Sequence, residues 1–182
     1  YNRIQLNKET QEVFLMDSGM RIGFGGIGKG YAARKTADML KSKGVNAGVV
    51  NAGGDLFCWG VQPDGSPWII SIADPDNEGQ AISKLPLQDM AAVTSGNYEK
   101  FIEVDGVRYC HILDPTTGFP VKNLKSVTVI CSDPELADAL ATSVFVLGVE
   151  VGMDLIEQID GVECLVVDDQ SKIFTTSQIE LN

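Results

Sequence analysis

Apolar and polar residues change period along the chain, and the changes predict an order of elements. Glu12–Met16 and Met20–Phe24 alternate as strands around an Asp17–Ser18–Gly19 turn. A helix is expected from about Lys29 to Lys43. Ala33, Ala37 and Leu40 form its apolar stripe, and Gly44 ends it. Val45–Asn51 reads as a strand, and Leu56–Val61 and Trp68–Ala73 read as a hairpin around residues 62–67. Residues 74–80 form a polar loop, and the stretch 74–89 is the softest internal boundary. Met90–Thr94 is a strand. Glu99–Val104 and Val107–Ile112 flank Asp105–Gly106, a two-residue hairpin signal. A dense turn cluster, Asp114–Pro120, precedes the apolar strand Ser126–Cys131. Asp133 and Pro134 open a helix that runs to about Leu147 and stops at Gly148, with Ser132 and Glu135 as an alternative capping box. A second helix, about Val151–Ile159, stops at Gly161. Val162–Val167 and Lys172–Thr175 close the chain as a hairpin.

Hairpins outnumber strand–helix–strand units. The expected fold class is therefore α+β, a largely antiparallel sheet with packed helices. At 182 residues with no linker, residues 1–182 are expected to form a single domain. On the wheel of helix 134–147, Leu136, Leu140, Ser143 and Leu147 fall on one face, with Asp138 and Thr142 opposite, one turn apart.

Charge narrows the partners. A net charge of −11 argues against a nucleic-acid partner, which needs a basic surface. No apolar run is long enough to span a bilayer. Cys58, Cys110, Cys131 and Cys164 form no C-x-x-C and no Cys/His ligand spacing. They read as buried small apolar residues rather than as a zinc site. The chain starts at Tyr1 and shows no signal peptide or lipobox, so such a segment is expected to have been removed or to lie outside this piece.

Three features carry candidate chemistry. Residues 23–30 place glycine at 23, 25, 26, 28 and 30, between a strand and a helix start. Backbone N–H groups and Lys29 there suit phosphate, although a tight turn explains the same residues. It is neither a P-loop nor a clear dinucleotide fingerprint. Asp138 and Thr142 offer a carboxylate and a hydroxyl to one hard cation, or else form a solvated helix face. His111, the single histidine, ends a strand before the 114–120 turns, as a structural residue or as a proton carrier. Residues 51–55 (Asn-Ala-Gly-Gly-Asp) and 94–99 are turn-like and equally open.

Taken in order, five blocks resemble one family. They are Gly25–Tyr31 (GGIGKGY), Asn51–Asp55 (NAGGD), Thr94–Glu99 (TSGNYE), His111–Pro120 (HILDPTTGFP) and Ala137–Thr142 (ADALAT). The chain is similar to the ApbE family, the FAD:protein FMN transferases. The resemblance implies a T-fold-like domain and a Mg²⁺-dependent enzyme. Such an enzyme cleaves FAD, attaches FMN by a phosphoester to a threonine of a partner flavoprotein, and releases AMP. Family partners include subunits of sodium-pumping quinone reductases and Rnf-type complexes. Some members instead hydrolyse FAD to FMN and AMP, and a non-catalytic flavin-binding remnant is a third possibility.

By the same resemblance, Asp138, Thr142 and the Gly26 carbonyl match the metal ligands. Lys29, Ser95, Glu99, His111 and Asp114 match positions lining the flavin nucleotide site. His111 is the expected proton carrier, with Asp114 orienting it or touching the ligand, and Asp138 is essential to turnover through the metal. The chain departs from the family at Gly23, where an Asp is usual, at Arg34, where an acid is common, and at Gly28, which replaces a frequent Ala. Family chains extend further on the N-terminal side. This chain is thus expected to be the C-terminal two-thirds or so of a longer one, the rest carrying an export or lipid-anchor signal and flavin-ring contacts. A periplasmic, membrane-anchored location follows from the resemblance only.

Overall fold

The computed structural model describes residues 2–98 and 101–179, with backbone only for Val107 and Arg108. A six-stranded antiparallel sheet is the frame. In chain order its strands are β3 (Gly48–Ala52), β4 (Asp55–Trp59), β7 (Ala91–Gly96), β10 (Leu124–Cys131), β11 (Glu163–Asp168) and β12 (Ile173–Thr175). In space they run β12-β11-β10-β7-β4-β3. Helices α1 (Gly28–Ser42), α2 (Pro134–Leu147) and α3 (Val149–Ile156) cover one face. The hairpin of β5 (Trp68–Ala73) and β6 (Ala81–Leu87) covers the other, seating Ile70, Ile72 and Leu87 on Ala92, Ile130 and Leu165. With both faces covered, β10 is buried along nearly its whole length instead of alternating. Two small hairpins complete the described elements: β1 (Ile4–Asn7) with β2 (Glu12–Leu15), and β8 (Phe101–Val104) with β9 (Val107–Cys110).

The α+β, antiparallel expectation holds. Local signals acted as expected where the chemistry is local. Asp133 caps α2 by accepting from the Glu135 N–H at 3.0 Å, with Pro134 in the first turn, so the Ser132 register is not used. Burial works against an ionised Asp133, but Arg34, at 2.6 Å, and the Glu135 N–H outweigh it and hold the carboxyl below the usual range. Its support for the fold is therefore full above the ordinary carboxylate pKa and is lost as pH falls through the lowered value. Arg34, one of the departures from the family pattern, thus ties α1 to the start of α2. Gly148 ends α2 at φ 82, and Asp105–Gly106 turns the β8–β9 hairpin with both φ positive. All four cysteines are free and buried, and burial pushes the Cys164 thiol up to about 12.

Three expectations are corrected. Met20–Phe24 is not a strand. The partner of β2 is β1, joined by a turn in which the Asn7 side chain accepts from the Glu9 and Thr10 N–H groups. The 56–61 and 68–73 segments do not pair with each other. Gly53 and Gly54 both take positive φ, so β4 folds straight back on β3 and continues the sheet through β7, while β5 pairs with β6. The 74–89 stretch is not a loose boundary, because β6 occupies residues 81–87 of it and packs on the sheet. On α2, Leu136 and Leu147 are exposed, while Leu140 is buried together with Ala137, Asp138, Ala141, Val144 and Phe145. Small residues are prominent in this buried set because it meets both the sheet and α1 at close range.

Candidate functional site

The site is built around that close approach. Gly30 lies against the first turn of α2, and a Cβ placed on it would fall 2.1 Å from the Pro134 carbonyl oxygen and 2.9 Å from Asp138 Cβ. Only glycine lets the two helices meet here. The contact brings the Gly30 N–H to Asp138 Oδ2 at 2.9 Å. Asp138 is 2% exposed, so its carboxylate is desolvated and needs such a partner. One oxygen is thereby fixed, and the same side chain borders the cleft with its remaining acceptor capacity.

That cleft has a volume of about 930 Å³. The glycine run 23–28 forms one wall. Asp138 and Thr142 of α2 form the floor, with Ser95 at the end of β7 and His111 beyond β9. Thr142 Oγ1 and Ser95 Oγ are 3.4 Å apart. Gly26 is pressed on Thr142, since a Cβ there would come within 3.2 Å of Thr142 Oγ1. Helix α1 starts at the cleft without a side-chain cap and without an acidic first-turn residue, which leaves its positive end to a ligand.

Six of the residues expected from the sequence therefore meet: Gly26, Lys29, Ser95, His111, Asp138 and Thr142 all line this one cleft. One expectation differs: Asp114 is not part of the lining. Its carboxylate accepts from the Thr116 hydroxyl at 2.6 Å and the Thr116 N–H at 2.8 Å, and these bonds hold it below the usual range. It organises the 114–120 turn, which Leu113 and Pro120 close as a bridge. Glu99 lies outside the described residues.

A further residue belongs to the site. Asp55, at the start of β4, is fully buried, and its Oδ1 pairs with Lys29 Nζ at 2.9 Å. The pair fixes the ammonium beside the glycine wall. In the sequence, Asp55 closes a turn-like block that is also one of the five family-like blocks, but no role was assigned to it; an acidic residue entering an otherwise apolar strand was the available signal. Removing the lysine leaves a desolvated carboxylate without that cation. Lys29→Ala is expected to cost about 2 kcal/mol in urea unfolding, less than the ~3–5 kcal/mol of fully buried pairs because Lys29 is 33% exposed. Adding Asp55→Asn is expected to restore part of the loss.

The donor set is suited to a hard cation. No cluster of three or more His, Cys, Asp or Glu residues occurs among the described residues. The Asp138 carboxylate and the Thr142 hydroxyl that line the cleft are hard oxygen donors, the kind that suits a hard cation such as Mg²⁺ rather than zinc.

Comparison with known proteins agrees with this geometry. The sequence profile of the ApbE family matches residues 1–166. A protein of Klebsiella pneumoniae called FAD:protein FMN transferase is 37% identical over 94% of this chain and 53% of its own length. One of the same name from Vibrio cholerae is 39% identical over 85% of this chain and 47% of its own. The ApbE protein of Thermotoga maritima superposes with a TM-score of 0.87 at 35% identity, over 95% of this chain and 56% of that one. The flavin transferase ApbE of Vibrio cholerae gives 0.83 at 32%, over 97% and 56%. The chain spans about half the length of the curated relatives it matches, less than the two-thirds expected. The sequence profile and the backbone course both match, and the chain belongs to the ApbE family.

Proposed function

We propose that the protein containing this chain is a Mg²⁺-dependent transferase that cleaves FAD and attaches FMN to a threonine of a partner flavoprotein. The observation that carries the reading is the convergence of Gly26, Lys29, Ser95, His111, Asp138 and Thr142, far apart in sequence, on one cleft. The names of the relatives support FAD as substrate and a protein as acceptor.

In this reading Asp138, Thr142 and the Gly26 carbonyl hold the Mg²⁺. When bound, the ion offsets charge on the diphosphate oxygens and on the departing AMP. The start of α1 and Lys29 bind the diphosphate, with Asp55 limiting where the ammonium reaches. The acceptor hydroxyl oxygen bonds to the phosphorus of the FMN half. The bond to the AMP oxygen breaks, and its electron pair leaves with AMP. His111, exposed at the cleft edge, takes the hydroxyl proton. The acceptors favoured by the family resemblance are quinone reductase or Rnf-type subunits. An exported, membrane-anchored protein rests on that resemblance too. No helix among the described residues is long and apolar enough to cross a membrane.

The test is incubation with FAD, Mg²⁺ and a threonine-bearing acceptor, followed by mass spectrometry. A mass increase equal to FMN on the threonine, with one AMP released per adduct, is expected. Free FMN and AMP with no adduct would make the protein an FAD pyrophosphatase. An unchanged FAD pool would remove both enzymatic readings.

A further inference from the structure

The cleft carries apolar side chains that a diphosphate and a cation do not call for. Phe24 and Leu113 both border it, and they are 71% and 53% exposed. Phosphate and Mg²⁺ are held by N–H groups, charge and oxygen, and gain nothing from a solvated phenyl ring or leucine. Each of the two residues also continues outwards. Phe24 and Gly28 are shared with a neighbouring pocket of about 480 Å³, whose other lining residues are Ile27, Tyr31 and Glu135. The Tyr31 N–H donates to the Ile27 carbonyl at 3.0 Å, so this pocket follows the first turn of α1. Its carboxylate, Glu135, has Arg34 Nε at 3.9 Å to balance its charge. On the other segment, Leu113 bridges to Pro120, and the Asp114 N–H donates to the Phe119 carbonyl at 2.9 Å. The turn thereby returns Phe119 next to Leu113, and Phe119 is 73% exposed.

Two exposed apolar groups, one on the glycine run and one on the 111–120 segment, thus adjoin a cleft whose lining includes His111. Exposed apolar groups of this kind mark surfaces that another molecule covers, and aromatic residues are enriched in such contacts. The proposed reaction brings one macromolecule to this place. The acceptor hydroxyl has to enter the cleft to reach the phosphorus, so the backbone that carries it has to pass the mouth. The net charge of −11 disfavours an acidic segment there.

We propose that these two apolar groups are the docking surface for the acceptor protein: an extended, non-acidic segment lies along the cleft mouth, puts its threonine into the cleft and seats apolar side chains on Ile27 and Tyr31 and on Leu113 and Phe119. In an extended segment, residues two positions from the threonine project to the same side, roughly 6–7 Å along, which suits contact with the rim. The proposal rests on the FMN-transfer reading and deepens it by naming where the partner binds.

The experiment measures FMN transfer by the protein containing this chain, as wild type, Tyr31→Ser and Phe119→Ser, to an acceptor subunit of the quinone reductase type. The acceptor is varied at saturating FAD, and FAD is varied at fixed acceptor. Each variant is expected to raise the acceptor KM by about tenfold, with kcat and the FAD KM unchanged. In the acceptor, alanine replacement of the apolar residues within three positions of the threonine is expected to raise the wild-type KM too. At least one of these replacements adds little once Tyr31 or Phe119 has been removed, the non-additivity of groups in contact. Both variants change exposed side chains outside the cleft lining, and either one alone carries the test. An unchanged acceptor KM in both variants overturns the docking surface while the transfer reading stands. A rise in the FAD KM in its place overturns it as well, giving these side chains to the dinucleotide. A lowered melting midpoint with an unchanged acceptor KM overturns it by showing that another part of the same protein covers them. If the wild type transfers no FMN, the transfer reading fails and takes the docking surface with it.

Discussion

Asp138→Asn is expected to lower Mg²⁺-dependent turnover of FAD on the order of a thousandfold, with little change in unfolding midpoint. The asparagine keeps the shape, and its amide oxygen still accepts from the Gly30 N–H, which is the bond that fixes the side chain. What disappears is the negative charge facing the cleft. A metal and its charge neutralisation contribute several kcal/mol to phosphoryl transfer, and each 1.36 kcal/mol is about tenfold in rate. Steady-state AMP release over a range of Mg²⁺ concentrations is the measurement. Wild-type rates for Asp138→Asn would show that the cation is held elsewhere. Asp138→Ala is expected to lose the same activity and stability as well, because the Gly30 N–H then loses its buried acceptor.

Gly30→Ala is expected to show the opposite pattern, a failure of the fold that reaches the site second. The added methyl would stand 2.1 Å from a backbone oxygen, which no rotamer change relieves. Helices α1 and α2 have to separate, and Asp138 moves from the N–H that holds it. Overpacking of this kind costs about 3 kcal/mol or more. For a chain of this size that lowers the melting midpoint by roughly 6–12 °C. Thermal unfolding by circular dichroism reads it directly, and a shift under about 2 °C would mean that the helices do not meet at this glycine.

These two residues also mark how far the sequence alone reaches. Asp133, Pro134 and Gly148 bound α2 through contacts within a few residues, so their roles were legible as written. The double-glycine turn at Gly53–Gly54 was equally local. Its consequence for β4 was not, because choosing between β3 and β5 as partner depends on which face each hairpin buries. Gly30 gave a helix start but no hint of Pro134, more than a hundred residues away. On α2 the alanine face packs closer to the sheet than Leu136 and Leu147, which are exposed. At the site, the family blocks named six residues that the fold does gather. Asp114 was expected in the cleft because its block is, but within that block it serves the turn. Asp55 gained its role only when Lys29 came within 2.9 Å across the helix–sheet gap.

The most direct measurement is the affinity of the chain for FAD with Mg²⁺ present and with the metal chelated. The expected result is FAD binding that strengthens sharply with Mg²⁺ and loses that dependence in Asp138→Asn. The same FAD affinity with and without the metal, or a metal dependence that survives in Asp138→Asn, would contradict a cleft in which one carboxylate and its neighbouring oxygens join cation and diphosphate.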